Sequence, residues 1–311
     1  MSIWGLSATI RAPAPDILRF AAYHLEQGAH RLYLYLDAAN PVAYAHLKAH
    51  PKARVQICDQ AHWKKLSKKR PNRHQVRQSY NATHAYNRRA EVDWLIHMDV
   101  NEFLVSERSV AKCLGALGPC QMSARVRPME KLGDSENAFK AFIPADATRR
   151  ATVEQIYPTF GRYIRGGFLS HLAGKLFVRT RLPNIKLQIH NAFQNDATLQ
   201  EAVELGSLDL AHCHAPSWDA WRAAFDDRFK HGSYRAELPA AAPAQQGGMS
   251  LHDLLSLLHT DAEDAGLRQF YDEVVRDSPT MRARLDAHGL LRIVHLDLAT
   301  IARKHFPDAD V

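Results

Sequence analysis

Cysteine is scarce: four occur in 311 residues (Cys58, Cys113, Cys120 and Cys213), with no C-x-x-C pair and no framework spacing. A disulfide-stapled scaffold is therefore excluded, and a reducing compartment is the expectation. Long apolar runs are missing too. No stretch approaches 18 consecutive apolar residues, and the first residues lack a basic, then apolar, then small pattern. Neither a membrane-spanning helix nor a secretory signal is expected. There is no internal repeat. General disorder is excluded by 46% hydrophobic against 23% charged residues. The length fits one large or two modest domains with a real core. A soluble, cytoplasmic chain is expected.

Acidic residues are absent between Asp59 and Glu91. That interval carries Lys64, Lys65, Lys68, Lys69, Arg70, Arg73, Arg77, Arg88 and Arg89, so the net charge of +7 originates there. Such a concentrated field selects polyanions as partners: a nucleotide diphosphate, anionic lipid headgroups or nucleic acid.

The first 130 residues alternate between strand-like and helix-like segments. Residues 4–10 read as a strand and 15–25 as a helix, opened by Pro15 and Asp16 and stopped at Gly28. Residues 31–36, apolar on both faces, read as a buried parallel strand ending at Asp37. A short helix (41–50), a strand (54–57), a helix (75–90) and a second buried strand (94–98) ending in Asp99 follow. Next, 110–117 read as helical and 121–126 as extended. Repeated strand–helix–strand units imply a mostly parallel α/β sheet, whose ligands sit beyond the carboxyl ends of the strands. Asp37 and Asp99 both fall at such ends. Residues 152–156, 161–164, 175–181 and 186–189 read as short extended pieces, and 218–230, 250–259, 262–276 and 280–288 as helices. The Ala/Pro/Gln/Gly-rich stretch 238–248 reads as a linker.

Chemistry concentrates at Asp99-Val100-Asn101-Glu102. Alternate residues of an extended chain point the same way, so Asp99 and Asn101 can address one hard cation. His190 or His212 can complete its shell. A zinc site from His212, Cys213 and His214 lacks the second cluster such sites use.

Taken in order, several of these segments resemble one family. Phe20-Ala-Ala-Tyr-His24, Gly28, Leu32–Tyr35 with Asp37, Gln78–Asn81, Trp94–Leu104, Leu132–Ser135, Gly174–Arg179, His190 and Leu210–His212 are similar to the family-2-like glycosyltransferases, and also to the family-92 enzymes. The resemblance spans about residues 4 to 232. It implies a GT-A fold, Rossmann-like with helices on both faces of the sheet, at 1–237: a nucleotide-binding half (about 1–127) and an acceptor half (about 128–237). The linker 238–248 and a C-terminal helical extension (249–311) would follow. It further implies a UDP-sugar or related donor, a saccharide or lipid-linked acceptor, Mn2+ or Mg2+, and inversion at the anomeric carbon. Asp37, Arg77, Gln78, Asp99, Lys175 and Arg179 become donor-binding candidates. Asp99, Asn101, Glu102, His190 and His212 become metal candidates. Asn101 departs from the family's second aspartate, which weakens the metal. One of Glu130, Asp134 and Glu136 is the candidate general base.

Peripheral contact with the inner membrane face is compatible with a lipid-linked acceptor, and no nucleic acid is expected. Two other readings stand beside the transferase. One is a nucleic-acid binder using the bases of 64–89 with Trp63, Tyr80 and Tyr86 as stacking groups. The other is a GT-A scaffold that has lost its chemistry through Asn101.

Overall fold

A computed structural model describes residues 2–88, 90–199, 202–241 and 248–311. The elements begin with β1 (Trp4–Ile10), α1 (Ala14–Glu26), β2 (Arg31–Leu36), α2 (Pro41–Ala49), β3 (Ala53–Ile57), α3 (Gln60–Lys65) and α4 (His74–Asn87). Next come β4 (Trp94–His97), β5 (Glu102–Val105), α5 (Val110–Gly115), β6 (Ser123–Lys131), β7 (Ala138–Lys140), α6 (Arg149–Ile156) and β8 (Lys175–Arg179). Then follow β9 (Ile185–Leu187), β10 (Ala192–Gln194), β11 (Ala197–Thr198), β12 (Val203–His212), α7 (Trp218–Ala223) and α8 (Phe225–Lys230). The chain ends with α9 (Leu251–Val274), α10 (Pro279–Ala287), β13 (Leu291–Ile293) and α11 (Leu298–His305). No helix among the described residues is long and apolar enough to cross a membrane.

The chain forms two compact units. Unit one is Met1–Arg127, Ala173–Leu210 and Asp297–Val311; unit two is Pro128–Leu172 and Ala211–Leu296. The chain first passes from unit one to unit two between Arg127 and Pro128. The expected C-terminal extension 249–311 does not stand apart. Residues up to Leu296 belong to unit two, and those from Asp297 return to unit one. Most of the expected linker, 242–247, lies outside the described residues.

In unit one, β3, β2, β1 and β4 lie side by side in that order and run parallel. Every residue of β1 is buried, as in a strand covered on both faces. The sheet continues antiparallel through β8, paired with β4, and β6, paired with β8. The fold is thus mixed α/β around a parallel centre. Tyr33 and Tyr35 point to the face covered by Ala82, Ala85 and Tyr86 of α4. Tyr35 and His84 share a hydrogen bond of 2.8 Å between hydroxyl and Nδ1. Near the C-terminus, α11 packs on α1, and Lys304 Nζ donates to Glu26 at 2.7 Å.

Unit two centres on Trp221, Phe225, Tyr234, Phe270 and Tyr271, with α9 and α10 contributing Leu255, Val274, Met281 and Leu285. Three expectations fail here. Residues 152–156, read as extended, are helical, because Val153 and Ile156 stack one turn apart and both enter this core. Residues 161–164 form a 3-10 turn and not a strand. The two helices expected at 250–259 and 262–276 are one, α9, capped by the Ser250 side chain accepting from the Asp253 amide.

Candidate functional site

Read across the parallel strands, the order 3-2-1-4 reverses direction between β1 and β4. In open α/β sheets the crevice beyond the carboxyl ends at such a reversal is where ligands bind. Asp37 and Asp99 stand at these ends, at the close of β2 and just past β4.

Asp37 is held by three side chains. Arg77 Nε donates to Oδ2 at 2.8 Å, Arg70 Nη2 donates to Oδ1 at 3.0 Å, and His74 Nδ1 lies 3.3 Å from Oδ2. Burial pushes the carboxyl upward, but hydrogen bonds from His74 and Arg77 and the arginine charges outweigh it and bring it down to about 2. Asp37 is therefore ionised, with its charge already matched within the protein. Arg77 is itself buried and also donates to the carbonyls of Pro71 and Asn72, closing the loop ahead of α4. Arg77→Met is expected to cost about 3 kcal/mol, because it leaves the buried Asp37 carboxylate with only the more exposed Arg70 and His74 and takes the donor from two carbonyls. Arg70→Met, at a side chain 48% exposed, is expected to cost under about 1 kcal/mol. Urea denaturation of the two variants measures the difference.

At the end of β4 the chain turns tightly. The Glu102 amide donates to the Asp99 carbonyl at 3.1 Å, and the Asp99 amide donates back to Glu102 Oε2 at 2.8 Å. The Asp99 carboxylate accepts from Gln78 Nε2 of α4 and, at 2.7 Å, from Lys175 Nζ. Lys175 Nζ is also 3.3 Å from Glu102 Oε2, and both of these side chains are wholly buried. Burial would lower the ammonium's pKa, yet the charges of Asp99 and Glu102 raise it above the ordinary lysine value. Gly174 sets the lysine's approach. Its φ of +67° is left-handed, and a Cβ there would run into the Val126 carbonyl across the β6–β8 pair.

Two further polar groups of this face were not found from the sequence. His97 of β4 and Ser7 of β1 are register partners, so they project on one side of the sheet. Both are buried, and neither the imidazole nitrogens nor the hydroxyl has a hydrogen-bond partner among the described residues. Burial, then the Lys175 charge, brings His97 down to about 3, so the ring is neutral. The legible signal was a histidine and a serine inside otherwise apolar strands.

Arg179 sits at the opposite end of β8 from Lys175, donates to the carbonyls of Gln121 and Gly118, and covers the Trp94 ring at 4.4 Å. It is not a donor-binding group of this crevice, because β8 runs antiparallel to β4 and carries it away. His190 Nδ1 lies 2.9 Å from the Gly174 carbonyl oxygen. His212 belongs to unit two, its ring 5.1 Å from that of His171 and 5.5 Å from that of His214.

Glu130 fails as a general base. It is buried against Lys140 Nζ at 2.9 Å and accepts from the amides of Leu169 and Ser170. Asp134 accepts from the Tyr271 hydroxyl at 3.1 Å and lies 3.9 Å from Arg276, while Glu136 is exposed.

For a hard divalent cation, unit one offers little charge. Glu102 is turned inward, and the Lys175 ammonium cancels one of the two carboxylates. What remains is Asp99, with a side chain 28% exposed, and the half-buried Asn101 with its neutral oxygen. These residues fit a cation held weakly. The stacking groups expected of a nucleic-acid binder are mostly unavailable, since Trp63 is 2% and Tyr86 4% exposed.

No family model and no curated protein matches the chain. Among solved structures it is similar to HddC from Yersinia pseudotuberculosis, at 13% identity and a TM-score of 0.38, over 73% of this chain and 99% of that one. A likeness at that level carries no argument about fold or chemistry.

Proposed function

We propose that the chain is a glycosyltransferase of GT-A type, moving a sugar from a nucleoside diphosphate donor, with UDP-sugars the first choice, to a saccharide or lipid-linked acceptor. One observation carries this reading: Gln78, Asp99, Lys175 and Glu102 form a preorganised polar group at the strand-order reversal, where α/β sheets bind ligands. Holding that group costs a buried ammonium and a buried carboxylate, an expense that a plain turn does not need.

Sugar transfer builds negative charge on the departing diphosphate. Mn2+ or Mg2+ held by Asp99 and Asn101 would offset that charge when bound. Lys175 fixes the Asp99 carboxylate in one orientation, and Gln78 restrains its other oxygen. The Asp37–Arg77 pair holds the start of α4, the helix that carries Gln78. With Glu130 committed to Lys140, Asp134 and Glu136 remain the candidate bases for the acceptor hydroxyl.

Tryptophan fluorescence titrated with UDP in the presence of Mn2+ tests the reading. Saturable binding is expected, and Asp99→Ala is expected to weaken it about tenfold or more, the effect of losing one charged contact. Absence of UDP binding by the intact chain, alongside no hydrolysis across a panel of nucleotide sugars, would overturn the proposal.

A further inference from the structure

The structure sorts the basic interval into two sets. Arg77 and Arg70 are engaged with Asp37. Lys64, Lys65, Lys68, Lys69 and Arg73 are exposed, and among the described residues none of the five is in an ion pair. Elsewhere in unit one Arg31 and Arg54 meet Glu91, Arg127 meets Glu204 and the exposed Lys304 meets Glu26, while the exposed Arg11, Lys48, Arg108 and Lys112, also in no ion pair among the described residues, are not crowded together as these five are. Five uncompensated charges within ten residues repel one another in the free protein and await an external anion.

The same patch carries exposed apolar surface. Val76 and Tyr80, 37% and 36% exposed, lie one turn apart on α4 and share a face. Lys68 Nζ sits 5.2 Å from the Tyr80 ring centroid, so the charged segment and the apolar pair are adjacent. Lys64, Lys68, Lys69 and Arg70 also border a cavity of about 940 Å³ with Trp63 in its wall.

We propose that the segment from α3 to the first turns of α4 is a docking surface for an anionic phospholipid bilayer. Lys64, Lys65, Lys68, Lys69 and Arg73 lie over the headgroups, and Val76 and Tyr80 enter the headgroup–acyl boundary. Two features select lipid over nucleic acid. Tyr80 is the one aromatic of Trp63, Tyr80 and Tyr86 that is exposed for stacking. Val76 gains nothing from a sugar–phosphate backbone but gains at the acyl boundary. The inference does not rest on the transferase reading, since it concerns the surface alone.

Co-sedimentation of the full chain with vesicles tests it, using phosphatidylcholine alone or mixed with phosphatidylglycerol. Each base near an anionic surface is worth about fivefold in partitioning, so the mixed vesicles are expected to bind at least about 30-fold more tightly. Raising NaCl from about 0.1 M to about 0.5 M should remove most of that preference. The variant Lys64→Gln/Lys65→Gln/Lys68→Gln/Lys69→Gln should lose it while keeping its thermal unfolding midpoint. Val76→Ser/Tyr80→Ser should weaken binding several-fold at both salts. No preference for phosphatidylglycerol, or a preference that survives the lysine substitutions, overturns the proposal. So does tighter binding to a single-stranded oligonucleotide than to mixed vesicles. Vesicle binding involves no nucleotide, so its failure is distinguishable from failure of UDP binding.

Discussion

Replacing Lys175 with methionine is expected to destabilise the chain by about 3–5 kcal/mol in urea denaturation. Lys175 and Glu102 are wholly buried, and Asp99 keeps only a quarter of its side chain in solvent. Methionine fills nearly the same volume, so the loss does not come from a cavity. It comes from two carboxylates left facing each other across a dry turn, one of them with no route to water. The second variant separates this explanation from a packing fault. Lys175→Met combined with Glu102→Gln removes the stranded charge and should recover about half of the loss or more, although the amide cannot match every contact of the carboxylate. Were Lys175→Met to cost under about 1 kcal/mol, the ammonium would not be the centre of this turn, and the preorganised group behind the proposed donor site would fall with it.

What the sequence made legible follows from how locally each feature is encoded. The strands β1, β2 and β4 announce themselves as apolar runs, and Asp37 and Asp99 as the first carboxylates after β2 and β4. Pro15 and Asp16 opening α1 are local signals too. Lys175 reads as a lysine beginning a strand. Its partnership with Asp99 exists only because β8 lies antiparallel beside β4, with Ile96 opposite Phe177, a pairing across some 80 residues. The same antiparallel geometry removes Arg179 from the crevice. The segment of α6 reads as extended because Thr152 and Val153 favour strands locally, while burial of Val153 and Ile156 decides for the helix. Nothing local reveals that the C-terminal helix returns to unit one. That depends on Lys304 and His305 meeting Glu26, and on Phe306 packing near His46 and His50. A glutamate in mid-chain looks available for proton transfer until its strand partner is known, and Glu130 has Lys140 directly opposite.

That pair sets the second large effect, and pH gives it a signature. Glu130 and Lys140 are both almost wholly buried, 2.9 Å apart, with Lys140 also donating to the Val274 carbonyl. Burial pushes the Glu130 carboxyl up, but the Lys140 charge dominates the opposing interactions and holds it at about 2, below the unfolded value of 4.5. A depressed carboxylate contributes stability that is present above the unfolded pKa and is lost as pH falls through the window between 4.5 and about 2. Burial would lower Lys140, yet Glu130 raises it above 10.5, so its contribution is complete below that value and is lost as pH rises past it. Across neutral pH the wild-type pair is therefore flat. Glu130→Gln should cost about 3–5 kcal/mol at neutral pH, leaving an ammonium buried beside a neutral amide. With its partner gone, burial is expected to outweigh the remaining contacts of Lys140 with Tyr157 and the Val274 carbonyl and to pull its folded pKa below the unfolded one. The sign then reverses: the unfolded state binds the extra proton, and the variant gains stability as pH rises from 7 towards 10. Glu130→Gln/Lys140→Met should abolish that slope and return much of the stability, because an apolar thioether replaces the unpaired ammonium while the neutral amide can still accept from the Leu169 and Ser170 amides. Urea denaturation at several pH values reads all three chains. A Glu130→Gln variant whose stability did not rise with pH would show that Lys140 reaches water or another acid, and the buried pair would not be what holds β6 to β7.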